Sequence, residues 1–315
     1  EEGVQLVTRN IILPLWNSYS FFSTYANADD ISFKDLEKAS PVQDRTMMDR
    51  WIISSMQSLV KTVNEKMENY YLYEVIPPLM NFVDELTNWY VRSNRKRFWK
   101  EKDENDIDKI NAFKTLHEVL LEFSKCMAPV LPFICEKIYQ GLIEEENQSI
   151  HYCNYPMAKE SLIDSELEEN IELAKKVIKS VRNLRVKLKL PNKQPLNSVK
   201  IITKDREIEN KLIVISDLIK NELNVKEVLF DFDVDNWIDY EFKPNFKILG
   251  PKLGKQINKI SEYLKNVDEI TCDNILQGNS VVIDGIKISS NEIDVILNKK
   301  EEHENQDIVD DFSLV

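Results

Sequence analysis

Residues 49–99 read DRWIISSMQSLVKTVNEKMENYYLYEVIPPLMNFVDELTNWYVRSNRKRFW, and their periodicity decides the fold. From Asp44 to Tyr70, apolar or small residues recur at Met48, Trp51, Ile52, Ser55, Leu59, Val63 and Met67, the three-and-four spacing that lines one face of an α-helix. A second run, from Leu72 to about Trp99, sets Ile76, Leu79, Phe82, Val83, Leu86 and Tyr90 on its face. Pro77 and Pro78 stand near its start, where a missing backbone N–H costs little.

Working outward, WNSYSFFSTYAN predicts an opening helix. A third run carries Ile107, Ile110, Phe113, Leu116, Leu120, Phe123 and Met127, and a fourth runs from Phe133 to Ile143 after Pro129 and Pro132. Short connections between such helices predict an antiparallel helical bundle over residues 1–150. The polar segment EEENQSIHYCNYPMAKESLIDSE has no period and marks a boundary. Beyond it, residues 164–300 read as a smaller α+β domain that opens with a long helix, Ser165 to Leu190, bearing Ile171, Ala174, Val177, Ile178, Val181 and Leu184 on one side. Short β-branched runs follow, VKIIT, VKEVLF and SVVIDGIKIS, with a helical stretch at about Glu207 to Glu222. Asp284-Gly285 between alternating apolar residues predicts a type I′ hairpin. The tail 301–315 has six acids and no Lys or Arg, and is expected to be disordered. The fold class is thus mainly α, a helical bundle followed by a smaller α+β domain.

At 315 residues and 43% hydrophobic content, the chain can pack a core in each of two domains. Its net charge of −13 and pI near 4.9 argue against non-specific coating of DNA or of an anionic membrane, because the average field repels both. Any basic function is therefore local. Cys126, Cys135, Cys153 and Cys272 form no CxxC pair, so neither a zinc ribbon nor a disulfide framework is supported, and a reducing, cytoplasmic compartment fits. There is no secretory leader and no run of ~18 apolar residues. Six glycines, with only Gly250 and Gly254 close together, give no phosphate-cradling loop. His117, His151 and His303 are far apart; no catalytic triad order and no metal-ligand spacing presents itself. The chain reads as a binding module without an active site or bound cofactor of its own. Its opening residue is Glu1, and it reads as a piece of something longer.

Two basic stretches stand out. Between Leu86 and Lys102 lie Arg92, Arg95, Lys96, Arg97, Lys100 and Lys102 against one acid, Glu101. On a helix, Arg92, Arg95 or Lys96, and Trp99 share a face. Guanidinium groups bond phosphates in a fork, and an aromatic beside them stacks an unpaired base. The dipole of a helix end accounts for only ~0.3–1 kcal/mol per charge, too little to explain this density. Trp89, Tyr90 and Val91 are expected in the core. From Leu173 to Lys204 there are ten Lys and Arg and no acid, among them Arg182, Arg185, Lys187 and Lys189. A solvated helix face normally mixes signs, so this strip predicts an anionic partner.

Three stretches, LPLWNSYSFFSTYAN, residues 49–99 and MAPVLPFICEKIYQ, closely resemble the anticodon-binding helical domain of class I aminoacyl-tRNA synthetases for branched aliphatic amino acids. Asp49-Arg50-Trp51 and NWYVR followed by spaced arginines are the specific marks, and the likeness covers roughly residues 1 to 143. The bundle is shared with valyl and leucyl enzymes, which stay as alternatives. VRNLRVKLKLPNKQPL, ELNVKEV and FKPNFKILGPKLGK resemble the junction region of isoleucyl-tRNA synthetases in their eukaryotic cytosolic form.

The resemblance implies a tRNA-binding portion that grips the anticodon stem and loop of isoleucine tRNA. It assigns phosphate contacts to Arg92, Arg95, Lys96, Arg97 and Lys100, stacking to Trp99, and a second strip to Arg182, Arg185, Lys187 and Lys189. Trp16 and Asn17 match the opening motif and are expected to serve packing and hydrogen bonding. The parent enzyme would use ATP and magnesium, but the chain has no HIGH or KMSKS string, so it should be inactive alone. The zinc-binding cysteines of bacterial relatives are missing, and the chain is expected to stop inside the C-terminal region. Two rival readings remain: a protein-interaction platform meeting other synthetases or scaffold proteins, and an RNA-binding regulator built on a borrowed domain.

Overall fold

The computed structural model describes residues 2–101, 106–145, 148–300, 308–309 and 313–314. The chain divides into two compact units, Glu1–Ile171 and Glu172–Val315.

The first unit is helical: α1 Glu2–Val7, α2 Leu13–Ala28, α3 Phe33–Glu37, α4 Met47–Glu68, α5 Ile76–Asp84, α6 Arg92–Trp99, α7 Ile107–Met127 and α8 Pro132–Gln140, with α9, Ser165–Lys187, starting in it. Side-chain caps set several starts. Thr46 accepts from the Asp49 N–H at the head of α4, and Asp106 from the Lys109 N–H at the head of α7. The expected apolar stripe of α4 is buried at Met48, Trp51, Ile52, Leu59 and Val63. It packs with α5 and α7, where Phe82 stacks on Phe123 with ring centroids 5.3 Å apart. Phe98 of α6 meets Phe113 of α7 and Phe21 of α2 edge-on, at 4.9 and 5.1 Å.

The run expected from Leu72 to Trp99 contains a departure. Between α5 and α6, residues Glu85–Val91 form a π-helical turn, where the Thr87 hydroxyl donates to the Val83 carbonyl at 2.8 Å. The wider turn puts Leu86, Tyr90 and Val91 in the core and leaves Trp89 half-buried. The polar segment before α9 is held down on the bundle. Glu136 accepts from the Ser149 hydroxyl and the Ile150 N–H, and Gln57 accepts from the Lys159 N–H at 2.8 Å.

The second unit holds the rest of α9, then β1 Leu196–Thr203, α10 Arg206–Val214, α11 Ser216–Leu223, β2 Val225–Asp231, β3 Ile238–Pro244, α12 Phe246–Leu253, α13 Ile257–Leu264, α14 Glu269–Leu276, β4 Val281–Ile283, β5 Ile286–Ile288, β6 Ile293–Lys299, β7 Ile308–Val309 and β8 Ser313–Leu314. β1 and β2 pair in parallel across the α10–α11 crossover, in a sheet of order β2-β1-β8-β7. β3 pairs antiparallel with β6, and β4 with β5. The last pair is the expected hairpin, with positive φ at both Asp284 (50°) and Gly285 (79°), as a type I′ turn requires.

Three expectations change. The single helix expected at about 207–222 is broken at Ile215, whose φ of −113° leaves the helical range while its side chain is wholly buried. β3, β6 and α12–α14 are additional elements, packed around Phe242, Leu249, Ile260, Ile283 and Ile288. The tail expected to be disordered carries two strands, with Ser313 and Leu314 paired to Thr203 and Ile202; its remaining residues lie outside the described ones. No described helix is long and apolar enough to cross a membrane.

Candidate nucleic-acid interface

Helix α6 is eight residues long, and its two sides differ sharply. Asn94 and Phe98 are buried, while Arg92, Arg95, Lys96 and Trp99 are exposed, Trp99 at 55%. The spacing 92, 95/96, 99 keeps these four on one outward stripe. Among the described residues, Arg95 and Lys96 make no ion pair. Lys100, just past the helix, is exposed, with Asp106 and Asp108 at 3.7 and 4.0 Å. Lys102, the other base of this stretch, lies outside the described residues.

Arg97 corrects the sequence reading. Its side chain is 12% exposed and turned inward. Two terminal nitrogens grip the wholly buried Asp49 carboxylate in a fork at 2.9 and 2.8 Å. Nε donates to Asp108 at 3.1 Å, and further N–H groups reach the Asn94 side chain and the Asp108 carbonyl, both at 3.0 Å. With its donors spent, Arg97 has none to offer a phosphate. Asp49 also accepts from the Tyr90 hydroxyl at 2.6 Å and the Thr46 hydroxyl at 2.7 Å. Burial, and then the field of Asp49, push the Tyr90 phenol well above its ordinary pKa, so it stays a donor. Burial works against the charge on Arg97, but the hydrogen bonds and field of Asp49 outweigh it and raise its pKa. The cluster locks α6 to the head of α4 and thereby fixes which way the outward stripe faces. Asp49 and Asn94 are the residues that composition alone missed in this role. The available signal was Asp49 three residues after the capping Thr46, a position in the first helical turn.

At the opening motif, Trp16 is 36% exposed with its ring 5.3 Å from Tyr19, and Asn17 is exposed without a side-chain hydrogen bond among the described residues. The expected packing and hydrogen-bonding role is thus not what Asn17 performs.

In the second unit the basic strip separates in the same way. Arg185 is buried, and its terminal nitrogens donate to the carbonyls of Pro191 and Gln194 at 3.0 Å and of Leu223 at 2.7 Å. Burial pulls its pKa below the ordinary arginine value. It fastens the end of α9 to the loop before β1 and to the end of α11, and is no phosphate contact. Arg182 pairs with Glu222. Lys187 and Lys189 are exposed, Lys189 in the left-handed region at φ 56°. Other bases of the acid-free run also find acids elsewhere in the chain: Lys175 meets Glu172 at 3.1 Å, Lys204 meets Asp235 at 2.8 Å, and Lys200 lies 3.7 Å from Asp231. The segregation of charge along the sequence is therefore largely undone in space.

Residues 49–201 match the family described as the anticodon-binding domain of tRNA ligase. The chain is 39% identical over 294 residues to the isoleucine–tRNA ligase of Treponema denticola, covering 90% of this chain and 26% of that protein. It is 39% identical over 288 residues to that of Clostridium novyi, covering 90% and 27%, and 37% identical over 306 residues to that of Clostridium tetani, covering 95% and 29%. The chain thus spans between a quarter and a third of the length of these relatives. Together with the helical architecture, the match makes residues 49–201 the anticodon-binding domain of a tRNA ligase, within a chain homologous to isoleucine–tRNA ligases.

Proposed function

We propose that this chain is the tRNA-gripping part of an isoleucine–tRNA ligase and holds the anticodon stem and loop of isoleucine tRNA. The observation that carries the reading is the outward stripe of α6, with Arg92, Arg95, Lys96 and Trp99 exposed on a helix that the Arg97–Asp49 fork holds in place. Such a stripe joins forked phosphate donors to an aromatic platform for an unpaired base. Lys100 extends it, and Lys187 and Lys189 form a second, smaller contact strip. Valyl and leucyl specificities are less favoured, because the named relatives are isoleucine–tRNA ligases along nine-tenths of the chain. The parent's ligation of isoleucine, with ATP and magnesium, belongs on this reading to the part of the enzyme that bears its HIGH and KMSKS strings. This piece alone is then inactive in aminoacylation, and the parent works in the cytoplasm. We extend the proposal to the C-terminal subtype: the unit after residue 172 follows the eukaryotic cytosolic pattern in sequence, while the relatives named above are bacterial, so the subtype describes architecture rather than host.

The test is binding of the 315-residue chain to isoleucine and valine tRNAs across a salt series, with the double variant Arg95→Glu/Lys96→Glu beside it. The variant should bind more weakly, and the slope of log K against log salt should fall by about 1.4–1.8, at ~0.7 per phosphate contact to a single strand and ~0.9 to a duplex. Unchanged affinity and slope in the variant would remove α6 from the interface. Cognate preference that persists at high salt locates base contacts here, whereas equal binding of both tRNAs leaves specificity to the rest of the parent.

A further inference from the structure

The second unit contains a cavity of about 350 Å³ between the end of α9, one face of β1 and Trp237. We propose that it binds a small organic anion with an apolar body, an aryl or alkyl carboxylate, independently of tRNA. Its size lies within the ~300–1,000 Å³ typical of small-molecule sites. Its walls are mostly aliphatic, with Leu184 and Leu188 from α9 opposite β1 and the Trp237 indole beside them. Among the described residues, only three lining side chains are polar, Arg185, Ser198 and Lys200, and no acid lines it. In a chain of net charge −13, a concave surface with two cations and no carboxylate selects for an anion.

The two cations are not equivalent. Arg185 spends its terminal nitrogens on three carbonyls, yet its Nε is buried with no hydrogen-bond partner among the described residues. Arg185 thus lends the cavity its positive charge, while the direct hydrogen bond to a ligand falls to Lys200. Lys200 lies over the Trp237 ring, 4.9 Å from its centroid. Asp231, its ion-pair partner, is 3.7 Å away, beyond hydrogen-bond reach. The ammonium can therefore turn to a carboxylate in the cavity without breaking a direct bond. A nucleobase fits less well, because its several donors and acceptors would face aliphatic walls.

The probes are 2-naphthylacetate and its neutral isostere 2-naphthylacetamide, titrated calorimetrically into the 315-residue chain. The carboxylate should bind saturably, one per chain, and the amide about tenfold or more weakly, the scale of a lost charge-assisted hydrogen bond. Lys200→Met, which keeps the stem and removes the charge, should reproduce the weakening for the carboxylate alone. Ser198→Phe, which fills the cavity from β1, should abolish binding of both. Absence of saturable binding, equal binding of carboxylate and amide, or binding unaffected by Lys200→Met overturns the proposal. If Ser198→Phe does not fold, the Lys200→Met comparison still decides.

Discussion

Arg95 and Arg97 stand two residues apart on α6 and meet opposite fates, which residue type and local charge could not separate. What separates them is phase against the buried Asn94 and Phe98, together with a partner 48 residues earlier, Asp49. Breaking that pair leaves a guanidinium in a nearly closed site without its main partner. Asp49→Ala should therefore destabilise the first unit by about 3–5 kcal/mol, read as a lowered urea midpoint, whereas Arg95→Glu should leave the midpoint within ~0.5 kcal/mol of the parent. Equal midpoints for both variants would show that the fork contributes nothing to stability. His117 gives the pH counterpart. Its Nε2 lies 2.8 Å from the Leu142 carbonyl, its Nδ1 is buried without a partner among the described residues, and the rings of Phe22 and Phe33 flank it. Burial lowers its pKa below the ordinary 6.5, with Lys114 adding to the effect while the Leu142 hydrogen bond and Glu118 oppose it. The unfolded state then binds the proton more readily than the folded one. Stability should be full above the unfolded value and decline as the pH falls below 6.5 towards the lowered folded pKa. Urea midpoints measured from about pH 7.5 to 5.5 should show that decline, and His117→Gln should flatten it.

At the scale of elements, the sequence was legible wherever one period ran long enough to dominate. The α4 stripe and the Asp284-Gly285 hairpin formed as expected. The π turn at Glu85–Val91 left no mark, because widening one turn changes a helical period too little to see in seven residues. The break at Ile215 was equally hidden, since no Gly or Pro stands there and tertiary burial of Leu212, Ile215 and Ile219 sets it. β3 is a different case. Ile238, Tyr240 and Phe242 alternate with Asp239, Glu241 and Lys243, a plain two-residue period, so its signal was present. In the hairpin, Gly285 has open space around the position of a Cβ, and its φ of 79° is what restricts substitution. Gly285→Ala should thus cost about 1–2 kcal/mol through backbone strain alone, read as faster hydrogen exchange at β4 and β5. No change there would mean that the turn relaxes into another type. Asp284 has a positive φ of its own, 50°, in a region that Asp and Asn visit more readily than other residues with a Cβ.

At the scale of the whole molecule, the charge argument changes once tertiary pairing is counted. Ten bases without an acid between Leu173 and Lys204 look like the stronger anion-binding strip in sequence. In the folded chain Glu172, Glu222, Asp231 and Asp235 stand against them, while Arg95 and Lys96 of α6 have no such acids among the described residues. On the proposed reading the shorter basic stretch is the better candidate interface, embedded in a body of net charge −13. That body repels a polyanion over a distance set by the ions in solution, ~30 Å at 0.01 M salt and ~8 Å at 0.15 M. The proposed contacts between α6 and phosphates would act over a few ångströms and weaken with salt through counterion release. At low salt the two effects oppose each other, because added ions loosen the contacts but also hide the acidic body. tRNA affinity plotted as log K against log salt should then be shallow below about 0.03 M and steepen above about 0.1 M, where only contacts remain to be screened. A single straight line across that range would mean that the acidic surface does not reach the bound tRNA, and that the α6 stripe alone governs the encounter.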